Sequence, residues 1–99
     1  MTIRHIVTWK MASTDAVERD THAAGVATRL ESLPAVIPEI LSFEVGRNVL
    51  KGDNFDVVLV SEFADPAALQ RYVAHPAHQE VAAYIRSVVG ARAAIDVEL

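Results

Sequence analysis

In the stretch "YVAHPAHQEV" a tyrosine, Tyr72, precedes two histidines, His75 and His78, that bracket Pro76 and Ala77. A third histidine, His5, lies near the N-terminus in "IRHIVTWK". A phenol and an imidazole at one site can do acid–base chemistry without a cofactor. The hydroxyl donates a hydrogen bond to a carbonyl oxygen, and the neutral imidazole takes a proton from the adjacent carbon. Aldol and Claisen-type cyclisations both begin with that step. His78 falls in the first turn of the helix that follows Pro76, where the helix dipole disfavours the imidazolium. An ordinary histidine titrates near ~6.5, so a nudge downward leaves a neutral base at pH 7. A plainer reading also fits: His75 and His78 hydrogen-bond the loose backbone groups of a helix break and fix its geometry. His75 is structural on either reading.

Leu69, Tyr72 and Val73 form an apolar helix face, so the Tyr72 ring belongs to the core whatever its hydroxyl does. A buried phenol finds a partner, and His78 or a ligand carbonyl would serve. His5 alternates with Ile3, Val7 and Trp9 and points into the same apolar layer, as a satisfied core histidine or as a pocket residue. Val7, Trp9, Phe43 and Leu59 are the candidates to line such a pocket. A metal site is disfavoured, because zinc takes three or four histidine, cysteine or carboxylate ligands. There is no cysteine, and Pro76 splits the histidine pair onto different turns. His22 reads as solvent-facing. No phosphate-cradling glycine loop, no G-x-S-x-G elbow and no nucleophile–base–acid order occurs, so no cofactor is expected.

The elements that must hold these residues follow from periodicity. Ile3, His5, Val7, Trp9 and Met11 alternate as a strand. Ser13, Thr14 and Asp15 are competent caps for a helix over residues 16–33, with Val17, Ala24, Ala27 and Leu30 near one face. Pro34 and Pro38 end it. Gly25 costs that helix about 1 kcal/mol relative to alanine. Leu41, Phe43 and Val45 start a second strand running to about Val49, and "KGDN" is a turn into a third, "FDVVLVSEF". The nearly continuous apolar centre of that strand suggests cover on both faces. Asp65–Pro66 opens a short helix to about Ala74; a second runs from beyond Pro76 to Gly90. Ile95, Val97 and Leu99 make a last strand.

The order is β-α-β-β-α-β, an α+β, ferredoxin-like arrangement of a four-stranded antiparallel sheet with helices on one face. At 99 residues the chain reads as one domain, residues 1–99. Yet 52% of it is hydrophobic, and Ile6, Val58 and Val60 lie on the face that no helix covers. Stacking two sheets in a homodimer is the economical solution. A net charge of −4 with scattered basic residues argues against nucleic acid. No stretch reaches the ~18–20 apolar residues of a membrane span, and no signal peptide is evident, so a cytoplasmic protein is expected.

The stretches "IRHIVTWK", "IPEILSFEVGRN", "FDVVLVSEF" and "YVAHPAHQEV", in this order, resemble the stress-responsive dimeric α/β-barrel (Dabb) family. The combination of H-P-x-H with the preceding D-x-x-x-L-x-x-Y helix carries most of the resemblance, which spans nearly the whole chain. It implies a subunit whose sheet joins a partner's sheet into a barrel, with a pocket between sheet and helices. The family includes boiling-stable plant stress proteins and a plant polyketide cyclase, olivetolic acid cyclase. In the cyclase the second histidine of H-P-x-H and the tyrosine six residues earlier do the chemistry; those positions match His78 and Tyr72. The strand-one histidine, matching His5, lies nearby in that pocket. A further cyclase pocket histidine on the third strand corresponds to Val57 here, a departure from the pattern. The resemblance thus implies acid–base chemistry on a small apolar carbonyl compound. The alternatives are a non-catalytic stress-response homodimer and a fold-related monooxygenase, to which His5 and Trp9 also suit.

Overall fold

The computed structural model describes residues 1–50 and 52–99. The chain runs β1 (Ile3–Met11), α1 (Ala16–Glu31), β2 (Ser42–Arg47), β3 (Val57–Phe63), α2 (Pro66–Ala74), α3 (Pro76–Val88) and β4 (Val89–Glu98). The strands form one antiparallel sheet in the order β2-β3-β1-β4. This is the ferredoxin-like arrangement, with two helices in place of the second one.

Alternation in β1 buries Ile3, His5, Val7, Trp9 and Met11 and leaves the residues between them half-buried. In β3 the same period buries Val57, Leu59, Ser61 and Phe63. Register then places Val7 opposite Leu59 and His5 opposite Ser61 on the helix-covered face. Leu30, Leu33, Ile37, Phe63 and Tyr72 complete a core that is almost wholly shielded from water. The third strand is not covered on both faces within one chain: Val58, Val60 and Glu62 stay half-buried.

α1 starts where Asp15 accepts a hydrogen bond from the Glu18 amide at 2.8 Å. It buries Ala23, Val26, Ala27 and Leu30 and ends at Glu31, with Ser32 as its cap. The expected face was rotated: Val17 is exposed and Ala24 only half-buried. Gly25 faces α3 rather than the sheet. A side chain there would come within 2.5 Å of the Tyr84 hydroxyl.

β2 stops at Arg47, short of Val49, and β3 begins at Val57, so the "KGDN" turn lies within a longer connection between these antiparallel neighbours. Lys51 of that stretch lies outside the described residues, while Gly52 takes the positive φ of 123° that favours glycine. Asp56 is not part of β3, because its carboxylate accepts from the Met11 amide at 2.7 Å and pairs with Arg19 at 3.0 Å.

Asp65 caps α2 by accepting from the Ala68 amide at 2.8 Å, with Pro66 in the first turn. His75 then ends α2 and caps α3 at once. Its extended backbone breaks the helix, and its Nδ1 accepts from the Ala77 amide at 3.0 Å. α3 begins at Pro76 itself, where a missing N–H costs nothing.

The largest departure from the sequence reading is β4, which starts at Val89 rather than near Ile95. Ala91, Arg92, Ala93 and Ala94 favour helix intrinsically, but the free edge of β1 offers them a ladder of backbone hydrogen bonds. At the junction Gly90 has no room for a side chain: a Cβ would sit 3.0 Å from the Ala12 Cα. The uncovered sheet face carries Val60, Ile6 and Ile95 in one row and Val58, Thr8 and Ala93 in the next. Among the described residues no helix is long and apolar enough to cross a membrane.

Candidate functional site

Between the sheet and the helices lies a cavity of about 310 Å³. β1 supplies His5, Val7 and Trp9 to its floor, and β3 supplies Leu59. These are the odd-numbered residues that the strand period turns toward the helices. α2 contributes Tyr72, and α3 contributes His78, Val81, Ala82, Ile85 and Arg86. Val89 and Arg92 of β4 close one side, and Leu30 reaches in from α1.

Tyr72 is the hub. Its ring centroid lies 4.6 Å from that of His78 at an interplanar angle of 61°, and 6.4 Å from that of His5. Phe63 packs behind it at 4.8 Å and Phe43 at 6.2 Å. Phe43 therefore buttresses Tyr72 and does not line the cavity, contrary to the sequence reading. Strand order explains this: Phe43 sits on the edge strand β2, beyond β3 and away from the β1 residues that floor the cavity. The other four expected lining residues, His5, Val7, Trp9 and Leu59, do border the cavity together with Tyr72 and His78.

Electrostatics separate the two central groups. Burial pushes the Tyr72 phenol above its usual pKa, with no hydrogen bond acting on it. It stays protonated and can donate. Burial pulls the His78 pKa below the ordinary histidine value; a hydrogen bond with the Val73 backbone opposes this, while neighbouring His5, Arg92 and Arg86 act in the same direction as burial. His78 Nδ1 is buried and has no hydrogen-bond partner among the described residues. A neutral imidazole with an unengaged nitrogen stands next to a phenol that keeps its proton. An acceptor beside a donor, in apolar walls, can hold a carbonyl oxygen and take a proton next to it.

Leu30 of α1, the α3 face beyond His78, and Val89, Arg92 and Asp96 of β4 were not read as site residues from the sequence. Asp96 of β4 lies opposite His5 across the ladder, and its Oδ1 meets His5 Nδ1 at 2.5 Å. That contact directs the Nδ1 proton toward Asp96 and leaves Nε2 as the free nitrogen. Nothing in the sequence fixes the register that brings Asp96 there. The α3 lining was legible: residues 78, 81, 82, 85 and 86 recur at the three- and four-residue spacing of one helix face. His22, expected in solvent, is half-buried on α1, with its Nδ1 unpartnered among the described residues and no place on the cavity wall. Among the described residues no three metal-ligating side chains group together.

A helix-covered antiparallel sheet with one open apolar face, enclosing a pocket of its own, defines a ferredoxin-like α/β subunit. The chain belongs to the Stress Responsive A/B Barrel Domain (Dabb) family, whose model matches residues 3–99. Among solved structures it resembles a dimeric ferredoxin-like protein of unknown function from Bacteroides fragilis. The two share 28% identity over 99% of this chain and 96% of that one, with a TM-score of 0.91. A dimeric ferredoxin-like protein of unknown function from Thermobifida fusca is 29% identical over 100% of this chain and 92% of that one, with a TM-score of 0.85. A hydroxynitrile lyase from Passiflora edulis shares the fold at 17% identity, covering 97% of this chain and 91% of that one, with a TM-score of 0.79. None of the curated proteins matches the chain.

Proposed function

We propose that the protein is a homodimer in which each subunit binds a small, largely apolar carbonyl compound and moves a proton on the carbon next to the carbonyl. The observation that carries this reading is the pairing of Tyr72 and His78 at one cavity wall, 4.6 Å between ring centroids, with burial holding the phenol protonated and the imidazole neutral. In this reading Tyr72 donates to the carbonyl oxygen as negative charge develops there. His78 takes the α-proton, and His5 stands by as a second imidazole oriented by Asp96. Apolar walls from Val7, Trp9 and Leu59 exclude water and strengthen each of these interactions. Cyclisation of a polyketide-like chain is one outcome such a site supports, and no cofactor enters the step. The hydroxynitrile lyase of the same fold shows that the fold can carry catalysis; its chemistry is not transferred by fold alone.

The dimer is supported by the open face, where Ile6, Val58, Val60 and Ile95 are left without cover, and by the dimeric state of the two bacterial relatives. The test is proton exchange. An aryl ketone in deuterated buffer should lose its α-protons faster with the protein than without it, as followed by NMR, and His78→Ala should return the rate to background. Exchange at the buffer rate across a panel of ketones would favour the non-catalytic stress-response homodimer.

A further inference from the structure

Among the described residues, the only Asp, Glu, Lys or Arg side chains on the cavity wall are two arginines, Arg86 and Arg92. That is unexpected in a chain with thirteen acidic against nine basic residues. It is more so given what the other arginines do. Arg4, Arg19, Arg47 and Arg71 are ion-paired with Glu62, Asp56, Asp20 and Glu39. Arg29 lies over the Tyr84 ring, 3.6 Å from its centroid. Among the described residues Arg86 and Arg92 have neither an ion pair nor a side-chain hydrogen bond. Arg86 sits in the last turn of α3, where the helix dipole welcomes a cation. Arg92 has no such reason to be there. It lies on β4 opposite Trp9, on the helix-covered side of the sheet.

Both arginines are exposed, whereas Tyr72 and His5 are buried. The cavity therefore has a cationic outer end and a reactive inner end, joined by Val81, Ile85 and Val89. Among the described residues no carboxylate lines the cavity, and that of Asp96, farther along β4, is engaged with His5. Two guanidiniums with no carboxylate on the same wall leave the opening positive. A guanidinium recognises a carboxylate through paired N–H donors.

Resting on the reading of this cavity as a ligand site, we propose that its ligand is an amphiphilic keto acid. The carbonyl and apolar body lie against Tyr72 and His78, and a carboxylate at the far end is held by Arg86 and Arg92. A cavity of about 310 Å³ limits the body to one aromatic ring or a short acyl chain. Neutral ketones enter the same site, and the arginines favour a keto acid over them.

The experiment is calorimetric titration of the protein with β-benzoylpropionate, an aryl ketone ending in a carboxylate, and with its methyl ester. The acid should bind about tenfold more tightly than the ester, and raised salt should narrow the gap. Arg86→Gln and Arg92→Gln should each weaken the acid about threefold, and the double variant about tenfold, with the ester unchanged. Equal affinities for acid and ester overturn the proposal, as does a double variant that loses both alike while melting normally. Failure of both compounds to bind at millimolar concentration overturns it too. The catalytic reading fails separately: if the acid binds through the arginines but its α-protons exchange only at the buffer rate, the ligand class stands and the proton transfer does not.

Discussion

Removing the Tyr72 hydroxyl, and nothing else, separates chemistry from packing. The ring is 1% exposed and packs against Phe63, Phe43, His5 and His78. Truncation to alanine would open a large void in that cluster and cost about 3–5 kcal/mol, a large share of the stability of so small a domain. Tyr72→Phe keeps every ring contact. Among the described residues no hydrogen bond acts on the hydroxyl, which faces the cavity, so its removal forfeits none. The expected change in stability is small, about 0.5 kcal/mol or less in either direction. For a domain of this length that corresponds to a shift in Tm of at most about 2–4 °C. Proton exchange on a bound ketone should instead fall by about 100-fold, the typical loss when one oxyanion donor is removed. Thermal melts by circular dichroism and exchange rates by NMR, on the same samples, read the two effects independently. A Tm drop of several degrees would mean that the hydroxyl holds a bond the fold depends on. Unchanged exchange with a normal melt would refute the phenol as the electrophile.

Further outcomes follow from the same geometry. His78→Ala should abolish exchange at a cost of about 1 kcal/mol, since the half-buried ring gives up one edge contact with Tyr72; differential scanning calorimetry measures that cost. The acidic limb of the exchange rate should fall below the ordinary histidine value of ~6.5, because burial lowers the His78 pKa, and the Tyr72 phenol should add no alkaline limb below pH 10. Stability should decline as pH drops through that ordinary value, since the unfolded chain takes up a proton there that folded His78 resists, and should level off below the lowered pKa. Val58→Asp should shift sedimentation from dimer to monomer or unfold the protein, because the aspartate would enter the apolar row beside Thr8 and Ala93. A dimer that survives the substitution would place the interface elsewhere.

Strand alternation alone turned His5, Val7 and Trp9 toward the helices and Ile6 away from them. Proline and aspartate punctuation alone set the start of α2 at Pro66 and the break at His75. These features are local: a two-residue period, a missing N–H and a capping carboxylate act within a few residues, so one sequence suffices to read them. The stripe from His78 through Arg86 was equally local, and its arginine was in plain view. What the sequence could not decide depends on pairing between distant segments. Residues 91–94 favour helix on their own, and only the open edge of β1 draws them into β4. That pairing sets the register in which Asp96 meets His5 and Arg92 meets Trp9, and so gives the cavity both its oriented imidazole and its cationic rim. Phe43 looked like a pocket residue for the converse reason: its strand period was read correctly, but its distance from the cavity is set by the strand order β2-β3-β1-β4. Local rules assign the face of a side chain, whereas its neighbours across the sheet are chosen by long-range hydrogen bonding and burial together.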